Sequence, residues 1–320
     1  MRIIIYGVGA VGGVLAARLS GAGETVIGIA RGKQLEAIRA DGLQLTTPLG
    51  VERHKFAVVA SPAEIVFEPD DVICLTMKTQ DTLGALDDLR RAGVTSQAIF
   101  CFQNGVSNED MALRLFPNVF AVTVQLPATF IEPGVVASFF APKLGFFDIG
   151  RHGVGDQGVA EQMAEHLDRA GFGCFLHTDI WPVKYAKLLN NVGNAIDAAL
   201  GSGAETQRLT ALARVEATTV LNIAGIAVAP QNDRSALGSM HEIEGVARVG
   251  SSSAQSLARG AGSIETDYLN GEIILLGRKH GVPTPINTYF ADVTQCMVAH
   301  GQAAGTLALE TLRSAMPNLF

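Results

Sequence analysis

The 320-residue chain reads as an α/β protein: a doubly wound, mostly parallel sheet over residues 1–178, then an all-helical domain over 179–320. Three observations predict this. Short β-branched runs alternate with helical stretches through the first half, as strands joined by crossover helices do. From Ile180 onward strand patterns give way to apolar residues at three- and four-residue spacing, the period of a packed helix. The length suits two domains, and hydrophobic residues at 48% can build a sizeable core and are too many for disorder.

The elements follow in order. Ile3-Ile4-Ile5-Tyr6 is a continuous β-branched run, as in a parallel strand buried on both faces. Residues 11–20 read as a helix that stops at Gly21 to Gly23. Thr25 to Ala30 is the second strand and 32–40 the second helix. Residues 43–60 are extended, with a turn at Pro48-Leu49-Gly50. Asp71 to Lys78 is another buried strand, and Thr79 caps a helix through Arg91. Ala98 to Phe102 is a strand ending at Gln103-Asn104-Gly105. Strands at 119–124, 134–140 and 143–149, a helix at 156–170 and a strand at 172–177 complete the sheet domain. Past a boundary at Thr178-Asp179, helices are expected over about 182–200, 205–225, 240–259, 263–280 and 286–314.

Composition removes several classes of function. Acidic residues exceed basic ones by 31 to 24, a net charge of −7, which argues against a nucleic-acid surface. Residues 3–17 carry no charge and follow Arg2, a superficial likeness to a signal peptide. Glycines interrupt the run, and Arg18 stops it short of the ~20 residues a membrane span needs. No membrane partner is expected. Cys74, Cys101, Cys174 and Cys296 form no CxxC pair and sit among apolar neighbours, which speaks for a reducing cytoplasm rather than disulfides or zinc. The seven histidines are too scattered to suggest a metal.

Gly7-x-Gly9-x-x-Gly12 lies between a buried strand and a helix, the context a dinucleotide fingerprint requires in a Rossmann-type sheet. Gly7 permits the tight turn, Gly9 lets a pyrophosphate approach, and Gly12 lets helix and strand pack closely. Val8, Ala10 and Val11 complete the loop at the helix N-terminus, where an anion binds. The next strand ends in Arg31, where an NAD site usually carries an acid; the next acid is Glu36, inside the following helix. A guanidinium there suits a 2′-phosphate and so NADP, with Lys33 able to assist. Lys78 ends a buried strand, where open α/β sheets bind ligands. Asn104 stands at the next strand end, in an Asn-Gly pair that is also an ordinary turn signal. The helical half holds two polar clusters, Lys184-x-x-Lys187-Leu188-Leu189-Asn190-Asn191-x-x-Asn194 and Glu265-Thr266-Asp267-Tyr268-Leu269-Asn270-Gly271. Ser253 precedes Glu265 by twelve residues. Lys187 and Asn191 share a helix face. Pattern alone reads both clusters as caps and interhelical hydrogen bonds, and Lys184 as a solvated cation.

Taken together these pieces resemble the ketopantoate reductase family, whose members reduce 2-dehydropantoate with NADPH. The likeness runs from the glycine loop, Arg31, Thr-Met-Lys78 and Gln-Asn104-Gly to Lys187-Leu-Leu-x-Asn191, Ser251-Ser252-Ser253-x-Gln255 and Glu265-x-Asp267-Tyr268-Leu269-Asn270-Gly271. The resemblance implies a Rossmann domain followed by a helical one. It implies that Lys187 is the catalytic lysine that protonates the carbonyl oxygen, and that Asn104 orients substrate and nicotinamide. It assigns Asn191, Ser253 and Glu265 to the substrate and Arg31 and Lys78 to the cofactor. The implied partners are a small 2-keto acid and, where the chain assembles, a second copy in a homodimer. Three positions depart from the family pattern, all on the substrate side. Tyr185 replaces a tryptophan, Ala195 an asparagine, and Gln125-Leu126-Pro127 stands where histidine is frequent. Other keto or hydroxy acids, or a catalytically silent NADP-binding sensor, are the competing readings; retention of Lys187, Ser253 and Glu265 speaks against the sensor.

Overall fold

In the computed structural model, which describes residues 1–230, 232–247, 250–260 and 262–317, the apolar runs of the first half form the inner strands of a large sheet. The elements in order are β1 (Arg2–Tyr6), α1 (Ala10–Gly21), β2 (Thr25–Ile29), α2 (Gly32–Asp41), β3 (Leu43–Thr47), β4 (Gly50–His54) and β5 (Ala57–Val59). There follow β6 (Asp71–Leu75), α3 (Thr82–Arg91), β7 (Ala98–Cys101), α4 (Asn108–Leu113), β8 (Val119–Gln125) and β9 (Ala128–Glu132). Then come β10 (Val135–Ser138), β11 (Phe140–Pro142), β12 (Phe146–His152), α5 (Gly158–Arg169) and β13 (Gly173–Leu176). Eight strands make the main sheet in the order β13-β12-β8-β7-β6-β1-β2-β5. All its pairs are parallel except β8 with β12.

Alternation along β1 divides the core into two layers. Ile3 and Ile5 face one side with Val14, Leu15 and Leu19 of α1 and Met163 and Leu167 of α5. Ile4 and Tyr6 face the other with Leu86 and Leu89 of α3 and Ala112 of α4. Helices on both faces make the sheet doubly wound. Full burial of each such isoleucine contributes roughly 1.5–3 kcal/mol, which is why the run tolerates no polar residue.

The uncharged N-terminal stretch has a structural explanation. A second sheet, ordered β4-β3-β10-β9, packs against α1 from the side away from β1. With sheets on both sides, α1 buries Gly12 through Ala17 and Leu19 and needs no polar face. No helix among the described residues is long and apolar enough to cross a membrane.

The second half holds α6 (Trp181–Asn191), α7 (Gly193–Leu200), α8 (Ala204–Ile223), the short strand β14 (Gly238–Met240), α9 (Ser252–Ala258), α10 (Asn270–His280), α11 (Pro285–Ala299) and α12 (Leu309–Ala315). Buried Ile196, Leu209, Leu221, Ile273 and Phe290 form its core. A polar chain ties three of its helices, α8, α10 and α11, to Val192 between α6 and α7. Asn270 Nδ2 donates to Val192 O and to Asn287 Oδ1, and Asn287 Nδ2 donates to Ala213 O and Glu216 Oε2. Glu216 also accepts from the Ile286 and Asn287 amides, satisfying the free N–H groups at the start of α11.

Four expectations need correction. The helix expected over 182–200 is two helices, divided at Val192, and that expected over 286–314 is also two, α11 and α12. That expected over 240–259 is reduced to α9. Upstream of α9, Ile243 and Val246 pair with each other around a left-handed Gly245, so these apolar residues serve a turn; residues 248 and 249 of that span lie outside the described ones. The chain divides into two compact units, Met1–Val183 with Gln231–Ala247 and Lys184–Pro230 with Arg248–Phe320. The segment ending at Ala247 therefore belongs with the sheet, because β14 pairs antiparallel with β11 and Arg234 binds the buried Asp148.

Candidate active site

The sheet unit carries the first set of residues. Gly7 adopts φ +107°, a conformation that disfavours any side chain, and its amide donates to Ile29 O at 3.1 Å. Thr76 Oγ1 lies 2.8 Å from the Gly7 carbonyl and 3.0 Å from that of Tyr6, and its proton holds the turn closed. A Cβ on Gly12 would meet Gly7 O at 2.3 Å and Thr76 Oγ1 at 2.4 Å, so helix and strand can approach only with glycine there. At Gly9 the same construction meets nothing within 4 Å. Gly9 is the N-cap of α1, and no side chain caps that end. An open face above uncapped amides at a helix N-terminus fits a pyrophosphate. Gln34 steadies the loop from α2, donating to Val8 O at 2.9 Å while accepting from the Gly134 amide at 2.7 Å.

Arg31 caps α2 at the end of β2, with its side chain 75% exposed. Asp88 Oδ2 lies 3.8 Å from the guanidinium and accepts from the Tyr6 hydroxyl at 3.1 Å. Burial first, then the Asp88 charge and hydrogen bond, raise the Tyr6 phenol above its ordinary value; Arg31 pulls it the other way. An exposed ion pair at this distance contributes at most about 1 kcal/mol, so Asp88 holds the cation loosely and leaves it free to turn toward a phosphate. Lys78 caps the 3₁₀ turn of Thr79–Asp81 after β6, and Asn104 follows β7. Because β7, β6, β1 and β2 are neighbours and parallel, the glycine loop, Arg31, Lys78 and Asn104 share the carboxyl edge of one sheet. The Asn104 Oδ1 atom is buried without a hydrogen-bond partner among the described residues.

The helical unit carries the second set. Lys187, half-buried, and Asn191, buried, lie one turn apart on α6. Ser253, 2% exposed on α9, has a hydroxyl that meets no partner among the described residues. Glu265 is half-buried at the head of the 3₁₀ turn of Thr266–Tyr268. Two sets of contacts draw these distant segments to the α6–α7 bend. Asp197 Oδ2 accepts from the Ser251 amide at 2.6 Å and Asn194 Nδ2 donates to Ser252 Oγ at 3.3 Å, fastening α9. Asn270, five residues after Glu265, donates to the carbonyl of Val192 at 2.9 Å. The reading of these clusters as interhelical bonds holds for Asn194 and Asn270. Lys184 is 2% exposed, not solvated, because it shares the buried face of α6 with Leu188 and Asn191.

The departures have visible consequences. Ala195 is fully buried in the helical core, and the adjacent Asn194 is engaged with α9. Sequence reading passed over Thr76 as a lock on the glycine turn, and over Asn108, whose Nδ2 donates to the Asn104 carbonyl at 3.1 Å. The only local hint of Asn108 was a helix start at Ser107 followed by the acidic Glu109 and Asp110.

The family model described as "Ketopantoate reductase PanE/ApbA" matches residues 3–151, and that described as "Ketopantoate reductase PanE/ApbA C terminal" matches 179–297. A relative from Mesorhizobium japonicum, named 2-dehydropantoate 2-reductase, is 30% identical across 94% of this chain and 99% of its own. The chain belongs to the ketopantoate reductase family. A Pyrococcus horikoshii relative of the same name is 27% identical across 90% of this chain and 94% of its own. Among solved structures, a PanE/ApbA family ketopantoate reductase from Ralstonia eutropha JMP134 covers 94% of this chain and 99% of its own, at TM-score 0.78 and 28% identity. A D-mandelate dehydrogenase solved with NADH and anilino(oxo)acetate has the same fold at TM-score 0.80, 23% identity and the same coverage. Family membership supports an oxidoreductase, and a nicotinamide cofactor is what a family of such reductases implies.

Proposed function

We infer that the protein reduces a 2-keto acid to the 2-hydroxy acid with NADPH, and that the substrate is 2-dehydropantoate. The observation that carries the cofactor reading is the pairing of an uncapped glycine turn with an exposed Arg31, in place of an acid, at the neighbouring strand end. The substrate reading follows the relatives' shared name and their coverage of nearly the whole chain. On this reading the sheet unit holds the dinucleotide and the helical unit supplies the substrate contacts and a dimer surface, in a cytoplasmic enzyme.

Gly7, Val8, Gly9, Ala10, Val11 and Gly12 hold the pyrophosphate, Arg31 and Lys78 the phosphate-bearing end, and Asn104 the nicotinamide end. When bound, the cofactor supplies a hydride to the keto carbon. Lys187 donates a proton to the carbonyl oxygen as negative charge gathers there, and its ammonium stabilises that charge before the proton moves. Asn191, Ser253 and Glu265 bind the carboxylate and hydroxyl ends of the substrate. The orphaned Ser253 hydroxyl supports such a role, since a buried hydroxyl is seldom left unpaired. A second reading, another 2-keto acid, is favoured by the buried Ala195 where the family pattern has asparagine.

NADPH oxidation across a panel of 2-keto acids separates the two. Highest kcat/KM on 2-dehydropantoate is expected; a different best substrate would select the second reading. Fluorescence titration tests the cofactor: Arg31→Ala should weaken NADPH and leave NADH nearly unchanged. Equal affinity of the native protein for both would remove the NADP assignment.

A further inference from the structure

The loops that carry Lys78 and Asn104 are fastened to each other by a set of buried, uncharged side chains. β6 and β7 run parallel in register, Val72 beside Ala98 and Leu75 beside Cys101, so the two loops leave the sheet side by side. Beneath them Thr79, Thr82, Gln103 and Asn108 are each at most 4% exposed. Thr82 stands at the centre. Its Oγ1 donates to Asn108 Oδ1 at 2.8 Å and accepts from Gln103 Nε2, also at 2.8 Å. Gln103 Nε2 donates in addition to Met77 O at 2.9 Å, the residue before Lys78. Asn108 Nδ2 donates to Thr79 Oγ1 at 3.2 Å and to Asn104 O at 3.1 Å.

Apolar residues could fill this space without the cost of desolvating two amides and two hydroxyls. A buried polar network fixes conformation as well as filling volume, because each partner is held at hydrogen-bond distance and angle. Here what is fixed is local: the peptide before Lys78, the side chain of Thr79 after it, and the carbonyl of Asn104 itself. The carbonyl of Asn104 is anchored while its side-chain oxygen meets no partner among the described residues, so the network holds the base of a group whose tip is left for a ligand.

We propose that Thr82 and Asn108 are positioning residues for the reduction: Thr82 orients Asn108, which holds the Asn104 carbonyl, and through Gln103 ties it to Met77, so that Asn104, and with it the nicotinamide and keto groups that Asn104 orients, is fixed relative to Lys78. The proposal rests on the reading of Asn104 given above. Both act through Asn104 and are not assigned a contact with substrate or cofactor.

Thr82→Val keeps the shape of the side chain and removes only the hydroxyl; Thr82→Ser keeps the hydroxyl. Misplacement of reacting groups by about an ångström can cost on the order of a hundredfold, so Thr82→Val should lose about 10- to 100-fold in kcat/KM. Thr82→Ser should stay within about threefold of native, the scatter of a substitution that preserves the bonds. NADPH affinity should fall less than kcat/KM in Thr82→Val and stay near native in Thr82→Ser, since the glycine loop and Arg31 are untouched. Amide hydrogen exchange over residues 103–108, measured without cofactor or substrate, should quicken in Thr82→Val and not in Thr82→Ser. In the double variant with Asn104→Ala, the Thr82→Val effect should largely vanish, because the two act through one group.

A serine variant as impaired as the valine variant would overturn the proposal. So would native kcat/KM in Thr82→Val, or effects of Thr82→Val and Asn104→Ala that multiply in the double variant. If Asn104→Ala alone leaves kcat/KM and NADPH binding unchanged, the assignment of Asn104 fails and takes the positioning role with it. That outcome is distinct from the others because it appears before Thr82 is altered.

Discussion

Lys184 and Lys187 differ by one turn of α6 and by very different surroundings. Lys184 shares a buried face with Leu188 and Asn191, whereas Lys187 is half-buried. A buried ammonium removed from its surroundings costs stability, while a placed acid removed costs rate. Lys187→Ala should therefore lose on the order of 10²–10⁴-fold in kcat with NADPH still bound and the fold intact. Lys184→Met should lower the unfolding midpoint and leave kcat of the folded protein close to native. Steady-state kinetics beside a cofactor titration for each variant checks this, and near-native turnover of Lys187→Ala would refute its role as the acid. The sequence distinguishes these residues only in part. Arg31 and the glycine loop are legible because their chemistry depends on a local pattern, a strand end and a turn. Lys187, Ser253 and Glu265 are spread over 79 positions, and the segments that carry them are joined near the α6–α7 bend only by long-range contacts such as Asn270 with Val192. Nothing local separates them from capping residues, so the resemblance, not the pattern, singled them out.

Among the elements, α1 bears two opposite constraints on two glycines of its first turn, Gly9 at its N-cap and Gly12 within it. Gly12 faces Gly7 O and Thr76 Oγ1 at distances no methyl can occupy, whereas Gly9 faces open space. Gly12→Ala should thus cost about 1–3 kcal/mol through overpacking and also weaken NADPH. Gly9→Ala, at a negative φ, should stay within about 0.5 kcal/mol of native stability and still weaken NADPH, because its methyl enters the ligand's approach. Urea midpoints and NADPH titrations of both variants decide it. Equal loss of stability in the two would mean that the loop is held by something other than the contact with Thr76. The same element shows what patterns can convey. Its strand–turn–helix form and its lack of a polar face are plain in the sequence, but the second sheet that explains that lack is built partly from β9, which carries no distinctive run. α4 has six residues and too little periodicity to register. The apparent helix upstream of α9 arises from apolar spacing that Gly245 converts into a turn.

At the scale of the whole chain, the polypeptide leaves the helical unit after α8, adds β14 to the sheet unit and returns to α9. A strand of three residues is a weak anchor, so the burden falls on Arg234. Its guanidinium binds Asp148, 2% exposed on β12, and lies 3.7 Å over the ring of Phe175 and 5.0 Å over that of Phe146. Asp148 also accepts from Thr123 Oγ1 and meets His177 Nε2, each at 2.7 Å. An arginine and an aspartate 86 residues apart leave no sequence signal, which is why the segment reads as part of the helical half. Removing Arg234 takes the guanidinium from a buried carboxylate that Thr123 and His177 satisfy only in part, at a cost of up to about 3–5 kcal/mol. Arg234→Ala should lose that much from the sheet unit. Arg234→Lys should recover little, since an ammonium supplies neither the two-pronged bond nor the planar stacking. The single tryptophan makes the measurement specific: Trp181 lies edge-on to His152, 5.0 Å between ring centres, within the sheet unit. Urea unfolding followed by its fluorescence should shift for Arg234→Ala, and substituting Asp148 by Asn in the same chain should return part of the loss by removing the stranded charge. If the single variant unfolds at the native midpoint, β14 alone secures the segment and the ion pair is incidental.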